Sequence, residues 1–308
     1  MSETICNPNP AIPSSLHELD IPSITANPGS VSSQPYLSSE KLLVPNQSQL
    51  PDLINNSRSF TGIRPEYADS LLPESVIGND DRVRILDTHN YPWRAICSLE
   101  IQGPRGFGMG TGWFIAPNLV VTAGHNIYHE RRLGGWAETI TVYPGRDGSH
   151  IPYPQGTSFN KPIRSSQFRV VRPWVDSKGE NPDFDYGGIV LDQNAGNETG
   201  WFAVAAETND NIAGSIVHMS GYPGDTKGGS GKYQLFGKDR VENSSITPTR
   251  FFYSADTYRG TSGAPVWLET SSGRFVVGIH TYGIRGGFTL NSATRINREV
   301  LQDLRSWM

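Results

Sequence analysis

Three side chains in this sequence have the types and the order that acyl-transfer chemistry needs: His125, Asp185 and Ser262. Ser262 lies in Gly260-Thr261-Ser262-Gly263-Ala264-Pro265-Val266, between two glycines and just ahead of an apolar, β-prone run. His125 closes Val120-Val121-Thr122-Ala123-Gly124-His125, and Asp185 stands before Tyr186-Gly187-Gly188-Ile189-Val190-Leu191. A serine hydroxyl is a poor nucleophile until an imidazole takes its proton. The imidazole in turn needs a carboxylate to fix its tautomer and stabilise its cation. A glycine two residues before the serine lets the chain turn its amides inward, so the backbone N–H groups of Gly260 and Ser262 are the candidate donors to an oxyanion. One such donor is typically worth about 10²–10³ in kcat.

Each of these residues has a competing reading. His125 and His129 are spaced as metal ligands on one helix face would be. That motif needs Glu directly after the first histidine, however, whereas Asn126 stands there, and Gly124 disfavours a helix. No metal and no other cofactor is expected. Asp183 competes with Asp185 as the orienting carboxylate. Asp185 sits at the threshold of a buried strand, where it can be desolvated and directed, whereas Asp183 reads as a solvated turn residue. A lipase-type elbow would need Gly-x-Ser-x-Gly followed by Asp and then His. Position 264 is Ala, and His280 precedes Asp303, so that order fails.

These residues must be held by something, and the composition says what kind of element. The chain has 308 residues, 33 of them glycine, with short β-branched runs between Gly, Pro and Asn punctuation. That pattern predicts an all-β protein with many turns. Strands are expected at 93–101, 110–115, 119–123, 139–143, 187–191, 214–219, 250–254, 264–268 and 274–281, as in paired antiparallel barrels. Ile296, Val300, Leu304 and Trp307 recur at helical spacing, so the chain is expected to close with an amphipathic helix that packs on a barrel.

The net charge of −4 and the absence of a basic stripe point away from nucleic acid. No apolar run approaches the roughly 20 residues of a membrane span. Met1 to Pro13 has neither a basic nor an apolar leader region. Two cysteines, Cys6 and Cys97, give no disulfide framework, and a bond between them would be lost if the N-terminal region were removed. Residues 1–74 hold ten of the 22 prolines and show no sustained periodicity. Such a segment buries too little apolar surface to offset its ordering entropy, and it reads as either a tail or a pro-segment.

The three motifs together resemble the chymotrypsin-like serine proteases, and within them the bacterial glutamyl endopeptidases, from about Ser75 to the C-terminus. Further matches are Ser75-Val76-Ile77-Gly78-Asn79-Asp80-Asp81-Arg82, Tyr91-Pro92-Trp93-Arg94-Ala95-Ile96, Gly221-Tyr222-Pro223-Gly224-Asp225 and Gly278-Ile279-His280-Thr281. The resemblance implies two antiparallel six-stranded β-barrels with a C-terminal helix and an active site between the barrels. Its pattern of Asp, aromatic, small, small, aliphatic selects Asp185. It implies a monomeric, extracellular endopeptidase acting on protein or peptide substrates, cutting after glutamate and less readily after aspartate. Residues 75–308 would be the protease domain and 1–74 a pro-segment removed at the Glu74–Ser75 bond.

The resemblance also places the substrate carboxylate against Thr257 and His280, with Thr281 beside them. Asp256 stands where trypsin-like enzymes bind Arg or Lys, although Glu-specific relatives also carry Asp there. Thr261, Arg259 and Asn126 depart from common family choices: Asn126 takes a position where secreted relatives often have cysteine. The rival readings are a protease of basic or relaxed specificity and a catalytically silent peptide-binding homologue.

Overall fold

Alternating burial defines the sheets. In Ile96–Gly103, the residues Leu99, Ile101 and Gly103 point inward while Glu100 and Gln102 face out, the two-residue period of a strand with one wet face. The computed structural model of the chain describes residues 2–7, 76–152, 162–241, 243–271, 273–283 and 290–308. Two antiparallel sheets dominate it, each curled on itself, with short helices between strands.

The first sheet contains Ile96–Gly103, Gly106–Ala116, Leu119–Thr122, Thr139–Pro144, Ile163–Ser165, Gln167–Val171 and Gly187–Val190. Ile163–Ser165 pairs with Thr139–Pro144, whereas Gln167–Val171 pairs with Gly187–Val190. A single residue, Ser166, separates the two, so they act as one bent strand that closes a six-stranded ring. The bend is held by the Ser165 hydroxyl, which donates to Val190 O at 2.5 Å and accepts from Gln167 N at 3.0 Å. The ring encloses Leu99, Phe114, Val120, Phe168, Val170 and Ile189, all fully buried.

The second sheet runs, in spatial order, Arg250–Tyr253, Asn291–Arg295, Gly273–Tyr282, Pro265–Thr270, Ile216–Gly221 and Leu235–Arg240. Among the described residues no ladder joins its two ends. Instead Ser254 donates from its backbone N–H and its hydroxyl to Asp239 Oδ2, at 2.6 and 2.7 Å. Beyond Leu235–Arg240 lies one further short strand, Val83–Arg84.

All nine expected strands coincide with observed ones, with shifted ends. The first begins at Ile96 because Trp93–Ala95 forms a 3-10 turn. The sequence reading passed over Ile163–Ser165, Gln167–Val171, Leu235–Arg240 and Asn291–Arg295. Asn291–Arg295 shows why: all five of its residues are buried, yet only Ala293 is apolar. Its polar side chains bond at a distance along the chain, with Asn291 donating to Ala255 O at 2.9 Å and Thr294 to Asp185 O at 3.2 Å. Hydrophobic patterning cannot register such a strand.

The closing helix, Arg298–Ser306, is capped by the Asn297 side chain, which accepts from Val300 N at 3.0 Å. It buries Val300, Leu301 and Leu304, with Trp307 following, against the core of the first barrel. Cys6 is exposed and Cys97 buried, and both are free thiols. Thr4–Cys6, within the segment expected to be a tail or pro-segment, forms a strand on Gln167–Val171. Glu74 and Ser75 lie outside the described residues. No helix among the described residues is long and apolar enough to cross a membrane.

Candidate active site

His125 follows the strand Leu119–Thr122 through a 3-10 turn, Gly124–Asn126, and Asp185 precedes the neighbouring strand Gly187–Val190. Those two strands are paired, Thr122 opposite Gly187, so the ladder brings the histidine and the aspartate together. His125 Nδ1 lies 2.7 Å from Asp185 Oδ2, and the His125 backbone N–H donates to Asp185 Oδ1 at 2.8 Å. Asp185 is completely buried. Burial alone would raise its pKa, but the His125 ring, the His125 amide and a hydrogen bond from the Tyr282 hydroxyl outweigh it and hold the carboxyl below its usual range. The same proximity, added to burial, pushes the Tyr282 phenol well above its usual range, so Tyr282 stays a donor.

Ser262 comes from the second sheet, in the loop ahead of Pro265–Thr270, and is held mainly by residues of the first. Its carbonyl accepts from Thr111 N at 2.9 Å and from Asn126 Nδ2 at 3.0 Å. Asn126 also donates to Thr122 Oγ1, so the residue next to the histidine grips the serine. The Thr111 hydroxyl donates to Gly260 O at 2.8 Å and accepts from Tyr222 N at 2.9 Å. Gly263 has φ +93°, and a side chain there would lie 2.1 Å from Thr111 O. Gly260 has φ +104°, with Tyr222 O only 2.7 Å from where a Cβ would stand. Both positions therefore need glycine, for the dihedral and for the close approach alike. Among the described residues no protein acceptor takes the Gly260 N–H. It is available for an oxyanion.

Asp183 lies in the 3-10 turn Pro182–Phe184 and accepts from Thr249 Oγ1 at 2.7 Å. His129 is fully buried, packed edge-on to Trp174 and close to Gly179. Burial, then the charge of Arg132, pushes its pKa down to about 3. Among the described residues no group of three or more His, Cys, Asp or Glu is placed to hold a metal ion.

The expected pocket residues Thr257, His280 and Thr281 are all buried, as is Asp256. His280 is tied to the serine loop by its backbone: Gly263 N donates to His280 O at 2.7 Å and His280 N to Ala264 O at 2.9 Å. Its Nδ1 lies 2.7 Å from the Tyr253 hydroxyl. Burial, then the His125 charge, pushes His280 down to about 3, so the ring is neutral at physiological pH. The hydroxyls of Thr257 and Thr281 are buried and meet no protein hydrogen-bond partner among the described residues.

The Asp256 carboxylate is occupied from within the chain: it accepts from Ile77 N at 2.6 Å and Asp81 N at 3.0 Å. The reach of the segment after residue 75 into this carboxylate was not legible in the sequence, and neither were the roles of Asn126 and Tyr282. Asn126 was noticed only as an absent cysteine. Arg259 is exposed at the rim, its carbonyl accepting from Gly224 N.

A family model described as Trypsin matches residues 84–301. The chain is 36% identical over 239 residues to a glutamyl endopeptidase of Bacillus licheniformis, covering 76% of this chain and 69% of that protein. It is 35% identical over 242 residues to a protein of Bacillus subtilis strain 168 called an extracellular metalloprotease, covering 77% and 71%. The solved structure of a Glu endopeptidase in complex with MPD superposes with a TM-score of 0.63 at 26% identity, covering 75% of this chain and 97% of that one.

Proposed function

We propose that this chain, which belongs to the trypsin family of serine proteases, hydrolyses peptide bonds after glutamate, and less readily after aspartate. In this reading His125 takes the Ser262 hydroxyl proton as the oxygen attacks the scissile carbonyl, then returns it to the leaving amine. Asp185, charged and buried, keeps the Nδ1 proton in place and stabilises the imidazolium. The amides of Gly260 and Ser262 stabilise the oxyanion. Water then repeats the cycle on the acyl-enzyme.

The observation that carries the acidic preference is the occupation of Asp256. A carboxylate that already accepts two backbone N–H groups is poorly placed to pair with a substrate Lys or Arg. What the expected pocket residues offer instead is hydroxyls and a neutral imidazole. An imidazole nitrogen is a far better acceptor than the Met219 thioether, which lies 3.7 Å from the same phenol. Tyr253 therefore donates to His280 Nδ1, and the remaining ring proton stays on Nε2, a donor for an anion. A glutamate side chain bound there would draw the ring toward its cationic form and strengthen the bond. The name of the Bacillus licheniformis relative, a glutamyl endopeptidase, agrees with this reading.

The chain is further read as an extracellular zymogen whose processing at Glu74–Ser75 precedes activity. Digestion of a peptide library by active material, with N-terminal sequencing of that material, tests both statements. Cleavage after Glu, then Asp, is expected, with Ser75 or Val76 as the new terminus. Cleavage after Lys or Arg would return Asp256 to the selective role, and full activity in an uncut chain would make residues 1–74 a passive tail.

A further inference from the structure

The segments on either side of residues 8–75 are seated on different barrels. Downstream, Ile77 and Asp81 donate to Asp256, and Val83–Arg84 pairs with Leu235–Phe236 of the second sheet. Upstream, Thr4–Cys6 lies antiparallel on the edge of the first, with Thr4 opposite Val171, Ile5 opposite Val170 and Cys6 opposite Arg169. We infer that residues 2–7 are a permanent strand of the first barrel, which stays seated when the chain between residues 7 and 76 is cut and braces the His125–Asp185 pair from behind. The inference concerns how the chain is held together and does not rest on which side chain the protease selects.

Both ends of the short strand are clamped. Glu3 O accepts from Arg172 N at 2.6 Å, and the Glu3 carboxylate takes a two-point bond from the Arg172 guanidinium at 2.5 and 2.6 Å. That pair is exposed and adds little stability by itself, but its fork geometry fixes register. At the other end the Asn7 side chain accepts from Phe168 N at 2.9 Å and donates to Ser166 O at 2.6 Å, extending the ladder where the barrel strand bends. Ile5 packs on the main core. Without this strand the edge of Gln167–Val171 would expose unpaired amides and carbonyls, a liability that β proteins cover.

The segment also reaches the site through two short relays. Thr4 Oγ1 accepts from Trp307 Nε1 at 2.9 Å, and Trp307 stacks on Tyr186, with centroids 6.0 Å apart and planes 25° apart, next to Asp185. Arg172, bonded to Glu3, opens the helix Arg172–Asp176, whose Trp174 packs against Gly124, the neighbour of His125, and donates to Tyr128 O at 2.9 Å. A strand that was merely tethered would have no reason to touch both.

The test uses the Ser262→Ala chain, to prevent self-digestion, with a recognition site for an unrelated protease placed between residues 8 and 75. After the cut, native mass spectrometry should show the two pieces as one complex, with a melting temperature close to that of the uncut chain. A synthetic peptide of residues 2–8 in excess should displace the native fragment, whereas the same peptide with Ile5→Pro should not. In the active cut enzyme, displacement by the Glu3→Ala peptide, which keeps the ladder but not the fork, should lower kcat severalfold with KM unchanged. In the uncut chain, Ile5→Pro should speed hydrogen exchange at the amides of Arg172 and Phe168. A cut protein that sheds residues 2–7 with unchanged melting temperature and unchanged exchange at those amides overturns the inference.

Discussion

The two barrels divide the site unequally. The first closes on itself by backbone hydrogen bonds, through a strand bent at Ser166, and its His125 and Asp185 stand just beyond the ends of adjacent paired strands. The second closes through side chains, Ser254 on Asp239, and presents Ser262 and the pocket wall from loops and strand ends. Their interiors differ likewise. The larger apolar cluster fills the first barrel and continues into the interface and the C-terminal helix, whereas the second has a separate, much smaller one. The His125–Asp185 contact is thus set by a backbone ladder, whereas Ser262 and the expected pocket residues are set by loops and strand ends. The serine belongs to the second barrel in sequence but is held by Thr111, Thr122 and Asn126 of the first.

Four experiments break or sharpen that division. The largest effect belongs to the nucleophile: Ser262→Ala should cost about 10⁶ in kcat, as loss of the serine does in such enzymes. Retained hydrolysis would remove the second barrel's loop from the chemistry. Next, Asp185→Asn should cost about 10⁴, because the amide favours the wrong imidazole tautomer. A loss of tenfold or less would mean that the first barrel positions the histidine by packing alone.

The pocket wall comes third. His280→Ala should lower kcat/KM for a Glu substrate by about 10² or more, the range for truncating one partner of a buried charge pair, and should affect a Leu substrate much less. Equal losses on Glu, Lys and Leu substrates would make His280 structural. Smaller again is Tyr282→Phe, which removes one hydrogen bond to a buried charge and should cost roughly tenfold, the lower end of the about 1.5–3 kcal/mol for such bonds. The pH–rate profile should also move, since Asp185 without that donor is held less far below its usual range. If Tyr282→Phe were as damaging as Asp185→Asn, the carboxylate would depend on the second barrel as much as on the first.

Acid stability compares the barrels directly, since each buries a neutral histidine. His129 and His280 are both held down to about 3, against an ordinary value near 6.5. Above pH 6.5 neither is charged in the folded or unfolded chain, and neither affects stability. Between 6.5 and 3 the unfolded chain binds protons that the folded one refuses, so stability falls with falling pH, by up to about 1.4 kcal/mol per unit per histidine. Urea midpoints measured across that window for the His129→Gln and His280→Gln chains should each show a shallower slope than the parent. A slope unchanged in both would assign acid sensitivity to other groups.

The sequence by itself settled whatever depends on neighbours in the chain. The order His, Asp, Ser, the glycines around Ser262, the apolar stripe of the closing helix and nine apolar strands are all local patterns, and each reappears in the fold. The choice of Asp185 over Asp183 was legible for the same reason, since only one of them abuts a buried strand. What needed the tertiary structure were polar residues whose partners lie far along the chain. Asn126 gripping Ser262, Tyr282 donating to Asp185, Asp256 holding Ile77, and the wholly buried strand Asn291–Arg295 carry no hydrophobic period and no motif. The strand Thr4–Cys6 was invisible for the same reason. Three residues in a proline-rich region bury too little surface to fold alone, and only an open sheet edge, with Trp307 and Arg172 waiting beside it, makes them a strand.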